Sequence, residues 1–510
     1  MSLPAPPAST SGRRRYRRSE PTSKPDTTGR NLCLFLDGTG NTFGPSSLSN
    51  VPRLLALVDA DPARQLIYYQ SGIGIAYGHL TVFDKIAQIV DEGIAFSLAT
   101  HIKHAYTWLM NHWKPNDRIF IFGFSRGAFT GRALAGMLQQ VGLLPAGNEE
   151  SVAMAYSIYS GQSGAVLVPG KESLAMGFKR TFSRDVYVHY VGVWDTVSSV
   201  GALIPRTLPF ASGTKYIRHF RQALALDEHR ARFAEQPFIS DDAAPTFPDN
   251  PSFFALPPET CSIKELWFAG AHSNVGGGEF DYDGDVAPAL SHVSLRWMVR
   301  ESVEAGLSLD SHALSKNPIF APVFPSAREV VARIVKGYAT SEDQPIIDFI
   351  HRSKLHNPDI DEEICAVVFL AAQPSPSMDS DAVAPRGDHL SFSIQKPDLR
   401  RASFPTRFSL FWQRFGARLK AAMWWLLELA PTLKILWDAE GNRRRWTVAS
   451  NFGRGRVLPA NPTFHSSVRT RMEAKSFQQY GNNENVVETK YQPKARFTNG
   501  NSFAEIRFAD

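Results

Sequence analysis

A serine between two glycines offers the clearest chemistry in this chain. The pentapeptide GFSRG follows the apolar run at residues 119–122 and precedes AFTGRALAGMLQQVGLL, a segment with helical character. A strand, a G-x-S-x-G turn and a helix form a nucleophile elbow, which exposes the serine hydroxyl above a sheet. Gly123 and Gly127 lack Cβ atoms, so strand and helix can approach closely around Ser125. The pattern predicts a nucleophilic serine, and the alternative is a glycine-rich turn without chemistry.

A serine hydroxyl needs a base that takes its proton and a carboxylate that orients this base. Asp195 ends the apolar segment at 187–195, and His272 lies between the apolar segment at 263–270 and a glycine-rich stretch. The chain order of serine, acid and histidine is that of α/β-hydrolases. We therefore expect Ser125, Asp195 and His272 to form a catalytic triad. The alternatives are a helix cap at Asp195 and a structural, hydrogen-bonded histidine at 272.

Other titratable residues fit these roles less well. Asp185 precedes its strand, so it belongs to the opposite edge of the sheet from the serine. His189 lies within the same strand-like segment. His219 and His229 lie in KYIRHFRQALALDEHRARF, whose pattern predicts a helix. None of these positions suits a triad.

Two backbone N–H groups are expected to bind the oxyanion that forms when an ester carbonyl is attacked. One belongs to Arg126, the residue after the nucleophile. The second belongs to the loop after the first strand, at Gly38, Thr39 or Gly40. Asp37 either orients this loop or is an ordinary turn aspartate. The chemistry needs no metal ion and no organic cofactor.

Strands and helices alternate along the first 300 residues. This alternation predicts an α/β fold, with a mostly parallel sheet that carries helices on both faces. Each candidate side chain follows the carboxyl end of its strand, where open α/β sheets place their sites. The predicted strands are 31–37, 64–74, 119–122, 187–195 and 263–270, and the predicted helices include 49–58 and 82–112.

The flanking segments differ in composition from this α/β region. We expect a disordered basic tail at 1–30, a catalytic domain with insertions at 31–372, a linker at 373–403 and a cap-like helical and aromatic region at 404–510. Apolar residues recur every three or four positions from 404 to 429, which indicates an amphipathic helix. That helix either contacts lipid or packs on the sheet. Residues 241–259 have the composition of a loop.

Charge and hydropathy exclude several classes of protein. The tail holds seven basic and two acidic side chains, so five of the six net positive charges of the chain lie there, and we expect no nucleic-acid partner. No apolar segment typical of a signal peptide follows these arginines. The longest apolar run, 421–427, is too short to span a bilayer. We expect a cytoplasmic protein, with peripheral membrane contact as an open alternative.

Two further patterns have little weight. The three cysteines, Cys33, Cys261 and Cys365, are far apart and are interpreted as apolar residues rather than as disulfide or zinc ligands. The acidic segment DYDGD at 281–285 lacks the glutamate of a calcium-binding loop, so it is interpreted as a polar turn.

Five motifs together resemble one family. FLDGTGN, YYQSGIG, GFSRGAFTGRALAGML, VGVWDTV and WFAGAHSNVGGG, in this order, are similar to the type VI secretion phospholipase-effector-like catalytic domain family. SLRWMVRE, WWLLELAP, GRGRVLP and FHSSVRTRM resemble its fungal branch. The resemblance implies an α/β-hydrolase fold, phospholipase-like activity and a triad of Ser125, Asp195 and His272. Asn274 replaces the aspartate that is frequent in the family motif HSDVGGG.

We therefore expect a serine hydrolase that cleaves acyl esters of lipids through an acyl-enzyme. Two alternatives stay open: hydrolysis of other esters, thioesters or peptides, and a catalytically silent scaffold at a membrane. The sequence leaves the lipid head group and the oligomeric state undetermined.

Overall fold

The structure is a computed structural model, and it describes most of the first 373 residues together with parts of the C-terminal region. The described residues are 29–38, 48–72, 91–161, 173–197, 208, 216–230, 233–238, 261–278, 289–373, 432–437, 444–449, 454–459, 461–473, 477–480, 486–489, 491–497 and 507–509. The predicted loop at 241–259, the DYDGD segment and the amphipathic segment at 404–429 lie outside these residues.

An eight-stranded sheet forms the centre of the molecule, and every pair of neighbouring strands in it is parallel. Its strands are β1 (Asn31–Leu36), β2 (Gln65–Gln70), β3 (Arg118–Phe124), β4 (Val188–Trp194), β5 (Ile217–Ala225), β6 (Ser262–Phe268), β10 (Thr463–His465) and β14 (Arg507–Ala509). Their spatial order is β14-β10-β6-β5-β4-β3-β1-β2. The predicted α/β fold with a parallel sheet is confirmed.

The order of the strands locates the site. From β1 the chain continues to β2 on one side, and β3 then pairs with β1 on the other side. The direction of winding therefore reverses between β1 and β3. In open parallel sheets, ligands bind at the carboxyl ends of the strands beside such a reversal. Ser125 directly follows β3 at this position.

Helices cover the two faces of the sheet. They are α1 (Asn50–Leu55), α2 (Asp91–His112), α3 (Ser125–Val141), α4 (Glu149–Tyr159), α5 (Leu174–Phe182), α6 (His272–Gly276), α7 (Leu290–Glu304), α8 (Ser311–Lys316), α9 (Phe324–Val335), α10 (Gln344–His356), α11 (Glu362–Ala372) and α12 (Ser466–Glu473). Short 3₁₀ turns occur at Ala321–Val323 and Ser341–Asp343.

Strand β1 shows why the central strands are continuously apolar. Successive side chains of a strand point to opposite faces of the sheet. Cys33 and Phe35 pack in one apolar core with α7 and α11, whereas Leu32, Leu34 and Leu36 pack in a second core with α2 and α3. Both faces are buried, so every position of the strand is apolar except its first residue.

The helix predicted over KYIRHFRQALALDEHRARF is wrong, because Ile217–Ala225 form strand β5. Two polar residues of this strand, Arg221 and Gln222, are buried in the sheet and paired. The Arg221 guanidinium forms an ion pair with Glu301 of α7, and the Gln222 side chain donates 2.8 Å to Glu265 of β6. A strand can bury polar side chains when they are hydrogen-bonded. The partners of these residues on other elements therefore stabilise a strand here, although the local sequence pattern indicates a helix.

The C-terminal part of the chain adds to the sheet. Strand β10 pairs with β6, and β14 pairs with β10. The other described strands of this region are β7 (Thr432–Trp437), β8 (Arg444–Ala449), β9 (Val457–Leu458), β11 (Phe477–Tyr480), β12 (Val486–Thr489) and β13 (Arg496–Phe497). The described part of 404–510 therefore contains more strand than the helical region that we expected. The domain bounds stay a prediction.

None of the helices in the described ranges combines the length and the apolar character that a bilayer crossing requires.

Candidate active site

The turn after β3 has the geometry of a nucleophile elbow. Ser125 has a φ of 56°, in the left-handed region that non-glycine residues seldom adopt. A Cβ at Gly123 would collide with the backbone of Ala128, and one at Gly127 would collide with the backbone oxygens of Leu36 and Asp37. The two glycines therefore let α3 begin directly against the end of β1. The Ser125 side chain lies at the start of α3 and is 6% exposed.

Asp195 follows β4, the neighbour of β3, and is fully buried. Its φ is 41°, so this residue is also held in the left-handed region. The backbone N–H of Asp195 donates 2.7 Å to Ala223 O, and the N–H of Ala225 donates 2.8 Å to its Oδ1. Strand β5 therefore fixes this carboxylate at the carboxyl edge of the sheet.

His272 begins the short helix α6, which follows β6. Its Nδ1 lies 2.6 Å from Oδ2 of Asp195, the contact in which a carboxylate fixes the tautomer of an imidazole. The ring packs 4.6 Å from the ring of Phe124, the residue before the serine, and 4.8 Å from that of Phe233. No hydrogen bond joins Ser125 Oγ to this imidazole, although both residues are described. Catalytic hydrogen bonds of ligand-free enzymes are frequently long.

The loop after β1 is anchored by Asp37. Its Oδ1 accepts from Ser49 Oγ at 2.6 Å and from the N–H of Gly38 at 2.7 Å, and its Oδ2 accepts from Tyr69 Oη at 3.1 Å. The Gly38 N–H is therefore bound to a carboxylate in this conformation. Thr39 and Gly40, the other expected oxyanion donors, lie outside the described residues. The oxyanion residues stay a prediction.

Asn274, which differs from the usual motif, makes a local hydrogen bond. Its Oδ1 accepts 3.0 Å from the N–H of Ala271, the residue before His272. Because an amide oxygen accepts as a carboxylate oxygen does, the turn that begins α6 is retained.

Residues 30–301 match the model of the family described as "T6SS, Phospholipase effector Tle1-like, catalytic domain". This match covers just over half of the chain. The chain belongs to the Tle1-like catalytic domain family. The predicted family is thereby confirmed, and its domain contains the elbow, Asp195 and His272.

One curated relative matches about half of the chain. "Uncharacterized protein YEL023C" of Saccharomyces cerevisiae is 38% identical over 282 residues, and the match covers 49% of this chain and 41% of that protein. This relative supports the fungal branch, although the chain spans less than half of its length.

Two solved structures are similar in part. An uncharacterized protein from Pseudomonas aeruginosa has a TM-score of 0.32 and 16% identity, over 71% of this chain and 58% of that one. The Tle1 effector, solved bound to the VgrG spike of the Type 6 secretion system, has a TM-score of 0.33 and 15% identity, over 68% of this chain and 84% of that one.

One partner of Asp195 lies outside the matched Tle1-like domain. The Arg456 guanidinium donates from Nη1 to Oδ1 at 2.5 Å and from Nη2 to Oδ2 at 2.8 Å. Its side chain is 4% exposed, so the ion pair is buried. The sequence interpretation missed this residue, because an arginine in the glycine-rich stretch GRGRVLP resembles a solvated loop residue. The one sequence signal that could have identified Arg456 was its position in GRGRVLP, a motif that resembles the fungal branch of the family.

Charge around the Tle1-like site favours an ionised acid and a neutral base. Burial raises the pKa of Asp195, but the charge of Arg456 and hydrogen bonds from His272 and Arg456 lower it to about 2. Burial lowers the pKa of His272, and the hydrogen bond with Asp195 opposes this effect in part. At neutral pH the imidazole is therefore uncharged, as a general base must be.

A second acidic group, also missed from the sequence, supports His272. Glu228 follows β5 and accepts 3.2 Å from the backbone N–H of His272. Arg230 donates to both of its oxygens, at 2.9 and 2.7 Å, and this pairing lowers the pKa of Glu228 against the effect of burial. The segment DEHR at 227–230 had been assigned to the predicted helix, which concealed this role. Because β5 ends at Ala225, Asp227 and Glu228 lie just after the carboxyl end of this strand, beside the site.

Three of the four rival residues, Asp185, His189 and His219, lie away from this edge, whereas His229 lies at it. Asp185 precedes β4 and forms an ion pair with Lys179 at 2.6 Å. His189 and His219 lie near the amino ends of β4 and β5. His229 accompanies Glu228 in the loop after β5, and its Nδ1 lies 3.1 Å from Asp227 O.

Proposed function

We propose that this protein is a serine hydrolase that cleaves acyl esters of lipids, with Ser125 as nucleophile, His272 as base and Asp195 as the acid of a triad. The observation that supports this most is the 2.6 Å contact of His272 with Asp195, beside an elbow whose serine has a positive φ. Membership of a phospholipase-effector domain family supports a lipid as substrate.

The chemistry follows from these positions. Ser125 Oγ attacks the ester carbonyl carbon while Nε2 of His272 takes the hydroxyl proton, and Asp195 stabilises the imidazolium. The tetrahedral oxyanion binds the N–H of Arg126 and a donor of the loop after β1. The C–O bond to the leaving alcohol then breaks, and His272 returns the proton to that alcohol. Water, deprotonated by His272, then attacks the acyl-enzyme. The bond from the carbonyl carbon to Ser125 Oγ breaks, His272 returns the proton to Oγ, and the fatty acid is released.

The side chain of Arg126 favours a substrate with an anionic group. It is half-buried beside the nucleophile, and desolvation lowers its pKa to about 10. Within the described part of the chain, no carboxylate forms an ion pair with it. A partly desolvated guanidinium binds phosphate through parallel hydrogen bonds. We therefore place the lipid phosphate at Arg126 and the scissile ester at Ser125.

Replacing the nucleophile tests the proposal. Ser125→Ala should abolish phospholipid hydrolysis and labelling by a fluorophosphonate probe, because no other described group replaces the attacking oxygen. Hydrolysis is measured as fatty acid release from phosphatidylglycerol vesicles. Ser326→Ala, an exposed serine of α9, is the matched control and should behave as wild type.

The outcomes separate the alternatives. Wild-type protein that takes up no probe would be a silent scaffold. Probe labelling without release of fatty acid would indicate another acyl substrate, which a panel of esters and thioesters would identify. Undiminished hydrolysis by Ser125→Ala would refute the triad.

A further inference from the structure

The carboxylate of Asp195 has every hydrogen-bonding position in use. Oδ1 accepts from the N–H of Ala225 at 2.8 Å and from Nη1 of Arg456 at 2.5 Å. Oδ2 accepts from Nδ1 of His272 at 2.6 Å and from Nη2 of Arg456 at 2.8 Å. A guanidinium that binds both oxygens fixes the plane of a carboxylate, since the two N–H bonds are parallel. Arg456 therefore sets the direction in which Oδ2 faces the imidazole.

Arg456 is itself held by the backbone around the site. Nη1 donates 3.0 Å to Ala225 O, and Nη2 donates 2.6 Å to Phe233 O. Nε lies 3.3 Å from Oε2 of Glu235. The residue lies just before β9, and its backbone O accepts 2.9 Å from the N–H of Arg496. A guanidinium with this many fixed contacts cannot rotate away without leaving buried polar groups unpaired.

Stability alone does not account for this arrangement. Burying two charges carries a desolvation penalty that their attraction frequently fails to exceed, and an apolar pair of similar volume is commonly as stable. A buried ion pair on the acid of a candidate triad therefore points to a role in the site. Asp195 also has a positive φ, which surrounding contacts must maintain.

We propose that Arg456 is a positioning residue of the active site: it orients Asp195 toward His272 and, by its charge, reduces the basicity of the imidazole. The site is thus completed by a segment that lies beyond the matched catalytic domain. The catalytic consequence rests on the proposed function, whereas the electrostatic coupling of Arg456 to His272 does not.

The coupling has a sign that can be measured. The groups that face the imidazole are Asp195, Glu228 and Arg230, and Glu235 faces Arg456. When Arg456 is removed, the charge of Asp195 acts on His272 without compensation. The protonated imidazole is then favoured, and the pKa of His272 should rise by roughly one to two units.

The first experiment reads this coupling without any activity. The pKa of His272 is measured by NMR in ¹⁵N-histidine-labelled full-length protein, with the resonance assigned through His272→Gln. Arg456→Met should raise this pKa, and Arg456→Lys, which keeps the charge but not the paired contact, should raise it less. Arg471→Met is the matched control, because Arg471 is buried in the same C-terminal segment, over the ring of Tyr491. It should leave the pKa unchanged.

The second experiment reads catalysis. Arg456→Met should lower kcat by about tenfold or more with little change in KM, since the substrate does not touch Arg456. The acid limb of its pH–rate profile should move to higher pH by the NMR shift, and Arg456→Lys should restore part of kcat. A merely structural role would lower activity without moving this limb.

The results also separate this inference from the proposed function. An unchanged His272 pKa in Arg456→Met, or an equal shift in Arg471→Met, would overturn it. If Arg456→Met does not fold, Arg456→Gln, which removes the charge but keeps a side chain that can donate hydrogen bonds, decides, and a His272 pKa equal to that of wild type in this variant refutes the coupling. If the pKa rises but Ser125→Ala retains hydrolysis, the coupling stands and the triad falls.

Discussion

Backbone strain at single residues marks the site. Among the residues that the structure describes, only Asn116, Ser125 and Asp195 are non-glycine residues with positive φ. Two of these three belong to the proposed triad, and each directly follows one of two neighbouring strands. Strained residues persist where surrounding contacts over-determine them, and they cluster at functional sites. Strain at two such residues therefore supports the site independently of the motif.

The charge of Arg126 is tested at this same scale. Arg126→Gln should lower kcat/KM for phosphatidylglycerol by roughly 10- to 100-fold, the effect of losing hydrogen bonds to a charged group. Hydrolysis of diacylglycerol with the same acyl chains should change little, because the oxyanion binds the backbone N–H of residue 126, which the variant keeps. Both rates are measured in the same mixed micelles. Arg126→Lys is the control that retains charge, and an equal loss on both lipids would refute phosphate binding.

Three histidines from separate elements meet at the opposite edge of the sheet. His189 of β4, His219 of β5 and His356 of α10 have ring centroids 5.2 to 5.7 Å apart. Burial is the main reason that all three have a lowered pKa, with that of His219 at about 3, and positive charge on Arg221, Arg118 or Arg218 adds to it. The folded protein therefore keeps the imidazoles of His189 and His219 neutral in mild acid.

This cluster predicts loss of stability in acid. An unfolded histidine titrates near 6.5, so between pH 6.5 and about 3 the unfolded chain binds more protons than the folded protein, and the free energy of unfolding falls as pH falls. Urea unfolding across this range measures the slope of the unfolding free energy against pH. In His219→Gln this slope should be smaller than in wild type, by an amount that corresponds to up to about one bound proton. His351→Gln is the control, because His351 is exposed on α10, the helix that also carries His356. An unchanged slope in His219→Gln would contradict the prediction.

At the scale of the whole molecule, the C-terminal segment and the central sheet share one core. Leu458 and Phe464 pack with Leu224 of β5 and Trp267 of β6. Tyr491 Oη donates 2.9 Å to Oδ2 of Asp227, which follows β5. Together with the contacts of Arg456, these interactions join the described residues between 454 and 497 to strands β5 and β6 and to the loop after β5.

Truncation tests this dependence. A chain ending at residue 373 should lose at least about 3 kcal/mol of unfolding free energy, because the buried charge of Asp195 loses its partner. Strand β6 would also become an exposed edge, which favours aggregation. Thermal unfolding and light scattering measure both effects. Deleting residues 1–20, whose composition predicts little burial of apolar surface, is the control. Equal unfolding temperatures for the truncated and full chains would refute the shared core.

Much of the sheet was predictable because its signals are local. Apolar runs followed by glycine or aspartate identified β1, β3, β4 and β6, each within one or two residues of its observed end. Strand β5 was not predictable, because its Arg221 and Gln222 are polar, and their partners lie about 80 and 43 residues away along the chain. No local pattern records a partner at that distance.

The same distinction holds at the site. Order along the chain was sufficient to name Ser125, Asp195 and His272, since each follows its own strand and parallel strands end at one edge. The contact of His272 with Asp195, the anchoring of His272 by Glu228 and the pairing of Arg456 with Asp195 depend on tertiary structure. Arg456 is separated from Asp195 by 261 residues. A buried ion pair forms only when folding removes both charges from water, so its existence is decided by packing and not by the residues on either side.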